Sequence, residues 1–155
     1  MKGLFINEPE LEFADGGRHI DVRHGLMNYG PLDRGEPTAP QIVRLGVVGE
    51  RGSIDLFRAW IEECRIGVEA KESSLKSLYP SFPGFSDGKS FCNFIVDDRH
   101  CDALSRQDMK SLKEASGRRS FADRLTRRFI QGAGDLIQKN ADVVVCLPSD
   151  ETCKR

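Results

Sequence analysis

The stretch Ile42 to Val48 is apolar except at Arg44 and Gly46, rich in β-branched residues and too short for a helix, so it predicts a strand. Gly49-Glu50-Arg51-Gly52 then punctuates the chain, and Ser53 stands where a helix N-cap belongs. Beyond it Phe57, Trp60, Ile61 and Cys64 recur at helical spacing, while Asp55, Arg58, Glu62 and Glu63 take the other face. Gly67 supplies the stop signal. Strand, tight turn and amphipathic helix make the first half of a βαβ unit. The fold class this predicts is α/β: a Rossmann-like parallel sheet flanked by helices, with an N-terminal hairpin and strap attached.

Downstream the pattern continues. Ser90 to Val96 (SFCNFIV) reads as a second strand, closed by Asp97-Asp98. Without a further carboxylate or a phosphate loop at the right spacing, those aspartates are read as a strand exit capping the next turn. A short helix is predicted over Arg106 to Glu114, with Gly117 breaking it. Ser120 to Asp123 then has the form of a capping box. Phe121, Leu125, Phe129, Ala133 and Leu136 draw one stripe along a helix of about five turns. Gly132 and Gly134 each weaken that helix by up to ~1 kcal/mol relative to Ala, which a close approach of helix to sheet would justify. Ala141 to Leu147 (ADVVVCL) has the unbroken apolar run of a central parallel strand covered on both faces. Aspartate at Val144 or Val145 is therefore expected to be severely destabilising. An interior place for Val143–Leu147 carries this architecture; a place at the sheet margin, or antiparallel to Ile42–Val48, would count against it and against any family assignment built on it.

The first forty residues have another texture. Leu11 and Phe13 alternate with Glu10 and Glu12, and Ile20 and Val22 with His19, Asp21 and Arg23. With Asp15-Gly16-Gly17 as the turn, Glu10 to Arg23 predicts a β-hairpin, too small to be stable alone. Gly25-Leu26 and Tyr29-Gly30-Pro31 continue it as an irregular strap, and Arg34 to Pro40 is the linker. The division this gives is residues 1–40 for hairpin and linker and residues 41–155 for the α/β domain. His19, Asp21 and His24 are read as a polar hairpin face, because strand alternation puts His24 opposite the other two. Between Lys71 and Gly88, prolines forbid regular structure while Tyr79, Phe82 and Phe85 are too apolar for a free loop. A long segment pinned by its rings is expected.

Charge changes the picture only locally. The chain of 155 residues has a formal net charge of −1, so bulk electrostatics announce neither a nucleic acid nor a membrane. From Arg106 to Lys139, however, nine Lys or Arg stand against four acids. Arg124, Arg127 and Arg128 gather on the face of the last helix away from its apolar stripe. That cluster is either a solvated face beside Asp123 and Asp135 or a contact for phosphate or protein. No apolar run is long enough to span a bilayer and no signal peptide is evident, so a cytoplasmic protein without a membrane partner is expected. The five cysteines (64, 92, 101, 146 and 153) form no CxxC and have no His at ligand spacing, which reads as structural thiols with no metal.

Parallel α/β sheets bind ligands beyond the carboxyl ends of their strands. Three loops are expected there: Gly49 to Ser53, Asp97 to Arg99 and Pro148 to Thr152. GERGS is neither GxGxxG nor a Walker loop, and its Glu50 would oppose an anion; it is a plain turn or a weak ligand loop. No Ser/His/Asp, Cys/His or paired-carboxylate arrangement recommends itself, so neither an enzyme nor a cofactor is read.

Four stretches carry a resemblance: EPELEFADGGRHIDVRHGLMNYGPLD at Glu8 to Asp33, RLGVVG at Arg44 to Gly49, SLYPSFPGFSDGKSF at Ser77 to Phe91, and ADVVVCLP at Ala141 to Pro148. Together they resemble the start of a short prokaryotic Argonaute, across roughly residues 3 to 148. Gly25-Leu26, Tyr29-Gly30-Pro31 and Asp33 are the most specific part. The resemblance implies that the hairpin and strap are the linker segment before the MID domain. It also implies that the α/β unit is the N-terminal part of MID, which holds the 5′ end of a guide strand, RNA or DNA. Leu147, Pro148, Ser149, Asp150 and Glu151 then match the loop beside the guide's first base. The clamp helix that follows in the family, and the PIWI domain with its acidic tetrad, lie beyond this sequence, so a truncated, non-nuclease member is expected. Short members act in prokaryotic antiviral defence with a partner carrying an APAZ segment and an effector domain. Leu147 to Glu151 with Arg124, Arg127 and Arg128 are the expected nucleic-acid contacts. The alternative is a protein–protein module, in which the strap and the arginine face dock a PIWI region or the APAZ-containing effector.

Overall fold

The structure, a computed structural model, describes residues 6, 8–75, 78–85, 92–114 and 118–148. The chain divides into two compact units, residues 1–41 with 63–93 and residues 42–62 with 94–155. The second is α/β, built on a four-stranded, mostly parallel sheet flanked by helices.

Its central element is β3 (Ile42–Glu50), joined without a loop to α2 (Arg51–Ile66). Strand β5 (Cys101–Leu104) runs parallel to it from Val47↔Cys101 to Glu50↔Leu104. Strand β6 (Val143–Leu147) also runs parallel, from Leu45↔Val143 to Gly49↔Leu147. Residues 47 to 49 face partners in both, so β3 has a neighbour on each edge. The short β4 (Asn93–Ile95) completes the sheet beside β3, and a 3-10 turn at Asp98–His100 leads from it into β5. Helices α3 (Arg106–Glu114) and α4 (Arg118–Gln138) follow. Leu104, Met109, Phe121 and Leu125 pack together as one buried cluster, with Leu112 and Phe129 against it.

The parallel pairing of Ile42–Val48 with Val143–Leu147 agrees with the sequence. The interior place expected for Val143–Leu147 does not. Among the described residues β6 pairs with β3 alone, and Val143 is 48% exposed, whereas Val47 and Val48 are 0% exposed. An apolar run does not say which strand is central, and the middle of the sheet is taken by β3, with β5 on one of its edges and β6 on the other. The family assignment loses the support that an interior β6 would have lent it.

The stripe expected on α4 is buried at Phe121, Leu125 and Leu136 and half-buried at Phe129 and Ala133. The one expected on α2 is rotated. Ile54, Ile61 and Cys64 are buried, but Trp60 is 54% exposed, its ring beside Phe57. The helix starts at Arg51 rather than after Ser53, and Trp60 lies about 100° round it from Ile61. It ends at Ile66, with Gly67 at φ 112° as the stop. Helix α4 likewise starts at Arg118, upstream of the expected cap at Ser120.

Of the two glycines in α4, only Gly132 answers to a close approach. A Cβ there would overlap the Asp102 carboxylate and stand 3.0 Å from Val48 Cγ1; at Gly134 nothing lies within 4 Å. On the strand side a Cβ at Gly46 would meet that of Ala141 at 2.9 Å and that of Leu136 at 3.2 Å. Opposite signs follow for one substitution. Gly134→Ala should stabilise by up to ~1 kcal/mol through helix propensity. Gly132→Ala should destabilise by ~1–3 kcal/mol through overpacking. Urea unfolding of the two variants checks both.

In the other unit, β1 (Leu11–Glu12) and β2 (Arg18–His19) pair antiparallel, Leu11 with His19, around a 3-10 turn at Ala14–Gly16. This hairpin is shorter than expected, because its second arm gives way to α1 (Val22–Tyr29) where a strand end and a strap were read. Ile20 and Val22 alternate correctly but are both exposed, so no apolar strand face exists to hold. Asp21 instead caps the helix, accepting from the N–H of Arg23 at 2.8 Å and of His24 at 3.4 Å. The Arg23 guanidinium and these N–H groups hold its carboxyl well below the usual carboxylate range. The Gly25-to-Pro31 segment has a packing role here: Cβ atoms at Gly25 and Gly17 would collide with the rings of Phe13 and Tyr29. Beyond α2, Val68 bridges Phe82 antiparallel, and Phe82 meets Phe85 edge-on at 5.2 Å, a ring contact within the segment, while Tyr79 is 45% exposed.

Candidate nucleic-acid interface

Because β3, β5 and β6 are parallel, Glu50, Leu104 and Leu147 end at the same side of the sheet. Of the three stretches expected there, Gly49 to Ser53 lies at this end, but as strand passing directly into helix rather than as a loop. Pro148 follows Leu147 at the end of β6, half-buried Leu147 leading to exposed Pro148; Ser149, Asp150 and Glu151 lie outside the described residues. The Asp97–Arg99 turn is not at this side, since it precedes β5 rather than ending it. There Asp98 is paired with Arg58, which holds its carboxyl below the usual range. The outlet beside that of β3 is Ser105, after β5.

Ser105 begins α3 with a capping box. Its N–H and hydroxyl donate to Asp108 Oδ2 at 2.8 and 2.7 Å, and the Asp108 N–H donates back to Ser105 Oγ at 3.1 Å. These bonds lower the Asp108 pKa from its ordinary value and fix the direction in which α3 leaves the sheet. Helix α3 then carries Arg106, Lys110 and Lys113 at i, i+4 and i+7, on one face.

Between this face and the start of α2 lies a cleft of about 640 Å³, lined by Glu50, Arg51, Gly52, Leu104, Ser105, Arg106, Met109, Lys110 and Lys113. Four cations thus meet one carboxylate at the carboxyl ends of two adjacent parallel strands, beside the N-termini of two helices. Such a place favours anions on both counts. Lys110 also meets Glu114 at 3.6 Å, a weak pair with both side chains about two-thirds exposed.

Neither the family models nor the curated proteins contain a match to this chain.

The arginine face of α4 separates into two parts. Arg128 is engaged with Asp102 of β5 through Nη1 to Oδ2 at 2.6 Å and Nη2 to Oδ1 at 2.7 Å, a bidentate pair with both side chains mostly buried. It is a contact between helix and sheet, made over Gly132. Arg124 and Arg127 are exposed. Reversing the charge of Arg128 therefore disturbs the fold, and Arg124 with Arg127 form the pair that reads a surface contact alone. Among the described residues no group of three or more His, Cys, Asp or Glu is placed to hold a metal ion, and no helix is long and apolar enough to cross a membrane.

One wall of the cleft, within Gly49 to Ser53, was offered by the sequence as a plain turn or a weak ligand loop; the other wall was missed. Its helix face had a signal, the i, i+4, i+7 spacing of Arg106, Lys110 and Lys113. Only β3–β5 pairing brings the two helix starts together.

Proposed function

We propose that the sheet unit is a MID-like, Rossmann-type module that binds the end of a guide strand, RNA or DNA, in a short Argonaute-type prokaryotic defence protein. In that role it has no nuclease chemistry of its own and works with an APAZ-containing effector partner. The observation that carries this reading is the cation-lined cleft at the shared carboxyl end of β3 and β5. It supplies the electrostatic term that single-strand binding requires, on the side of the sheet where the Leu147–Pro148 loop begins. The sequence resemblance supports the same reading from other residues, the strap around Gly25 and Tyr29 among them. The alternative, a module docking a PIWI region or the effector, rests on Arg124 and Arg127, since Arg128 is occupied by Asp102.

The test is affinity of the full chain for a 5′-phosphorylated single-stranded oligonucleotide and for its 5′-hydroxyl twin, measured by fluorescence anisotropy over a range of salt. Binding that weakens with salt and prefers the phosphate is expected. Affinity indifferent to both overturns the proposal.

A further inference from the structure

The unit made of residues 1–41 and 63–93 holds a cavity of its own, which shares no lining residue with the cation-lined cleft. It measures about 230 Å³. One wall is α1, where Arg23, Leu26 and Met27 share a face at i, i+3 and i+4. The other is Pro80, Phe82 and Pro83, with Ser81 between them. The geometry points to this cavity as a binding site for a small planar aromatic molecule of one or two fused rings, of the phenol or indole class. This inference stands apart from the guide-strand reading and does not depend on it.

Both walls are held in place before any ligand arrives. Val68 N–H donates to the Phe82 carbonyl and Phe82 N–H to the Val68 carbonyl, each at 2.8 Å. The Phe82 ring meets Phe85 edge-on, and the two prolines restrict the backbone around it. Arg23 Nη1 donates to the Leu78 carbonyl at 2.9 Å, which ties α1 to this segment. A cavity shaped in advance costs a ligand little ordering.

Size and lining chemistry select the ligand. An apolar cavity of about 150 Å³ takes one benzene ring, so this one admits indole. It falls short of the roughly 300–1,000 Å³ of sites for drug-sized molecules. Leu26, Met27, Pro80, Phe82 and Pro83 are half-buried and make the walls apolar. Among the described residues the lining holds no carboxylate to draw a cation. Arg23 is a poor anion site, because its Nη2 and Nε already donate to the Asp21 carboxylate at 2.8 and 3.3 Å. What it keeps for a ligand is its stem and the flat face of the guanidinium, which stacks on aromatic rings. The Met27 thioether favours the same partner. Both contacts prefer an aromatic ring to a saturated one of equal size. A polar handle stands beside them: the Ser81 hydroxyl donates to Met27 Sδ at 3.9 Å, and its oxygen can accept an indole N–H or a phenol O–H.

The experiment follows the methionine methyl signals of the full chain, labelled with carbon-13 at those methyls, during titration with indole, phenol and cyclohexanol. The Met27 methyl reports the cavity, and Met109, in the buried cluster of the sheet unit, is the internal control. Indole and phenol should move the Met27 signal saturably while Met109 stays still. Phenol should bind roughly fivefold or more tightly than cyclohexanol. Arg23→Lys keeps the charge without the flat face, so that preference should shrink by roughly threefold, whatever absolute affinity remains. Ser81→Ala changes an exposed residue and should weaken indole by roughly fivefold while leaving N-methylindole unchanged. A Met27 signal unmoved by millimolar indole overturns the inference, as does a Met109 signal that moves equally. Equal affinity for phenol and cyclohexanol, or a preference untouched in Arg23→Lys, overturns the assignment to an aromatic ring. A tryptophan-bearing peptide or a single nucleic-acid strand that moves Met27 where free indole does not overturns the assignment to a small molecule.

Discussion

Val47→Asp is expected to abolish cooperative folding, while Val144→Asp leaves a folded protein. Val47 is 0% exposed on the interior strand, paired with Cys101 on one edge and Val145 on the other. A carboxylate there has neither water nor a cation, and an unpaired buried charge costs more than the ~5–15 kcal/mol by which a domain of this size is stable can readily absorb. Val144 is half-buried on the marginal strand, so its carboxylate can turn toward water. A loss of ~1–3 kcal/mol, the ordinary range for a single substitution, is expected there. Urea denaturation followed by far-UV circular dichroism separates the two: a sloping, transition-free curve for Val47→Asp, and a shifted but cooperative one for Val144→Asp. Equal effects would mean that β6 is as interior as β3.

The contrast between those valines marks how much of the fold the chain's pattern discloses. Ile42–Val48 and Ala141–Leu147 both announce strands, and even their parallel pairing was legible, because β-branched runs of that length have few alternatives. Which of the two is central was not. That depends on β5, and Cys101-Asp102-Ala103-Leu104 is too short and too polar to be read as a strand. Asp102 belongs in a sheet only because Arg128 reaches it from α4, a partner no local window contains. Helix α1 was hidden for the converse reason. Ile20 and Val22 mimic strand alternation, and the Asp21 cap that decides the matter is a single side chain. Gly132 was legible as a question, and only its contact with Asp102 and Val48 answers it. The candidate site follows the same rule. Charge excess from Arg106 onward was visible, whereas the cleft exists because two helix starts are brought side by side by strand register.

The second large effect concerns binding. If Arg51, Arg106 and Lys110 each neutralise one phosphate, log affinity should fall with log salt at a slope of about −2.1, at ~0.7 per contact on a single strand. Affinity for a 5′-phosphorylated strand then drops roughly 20-fold between ~50 and ~200 mM salt. The magnitude discriminates. Arg124 and Arg127 alone would give a slope near −1.4, and an apolar docking surface a slope near zero. The net charge of −1 makes this slope informative, because no general excess of positive charge can produce it.

Amide chemical shifts of the isotope-labelled full chain, recorded while a 5′-phosphorylated single strand is added, test most directly where a ligand sits. The largest changes are expected at Glu50 to Ser53 and Ser105 to Lys113, with Ile42 and Val143 at the opposite end of the sheet unmoved. Changes confined to Arg124 and Arg127, or strongest around Ile42 and Val143, would contradict it.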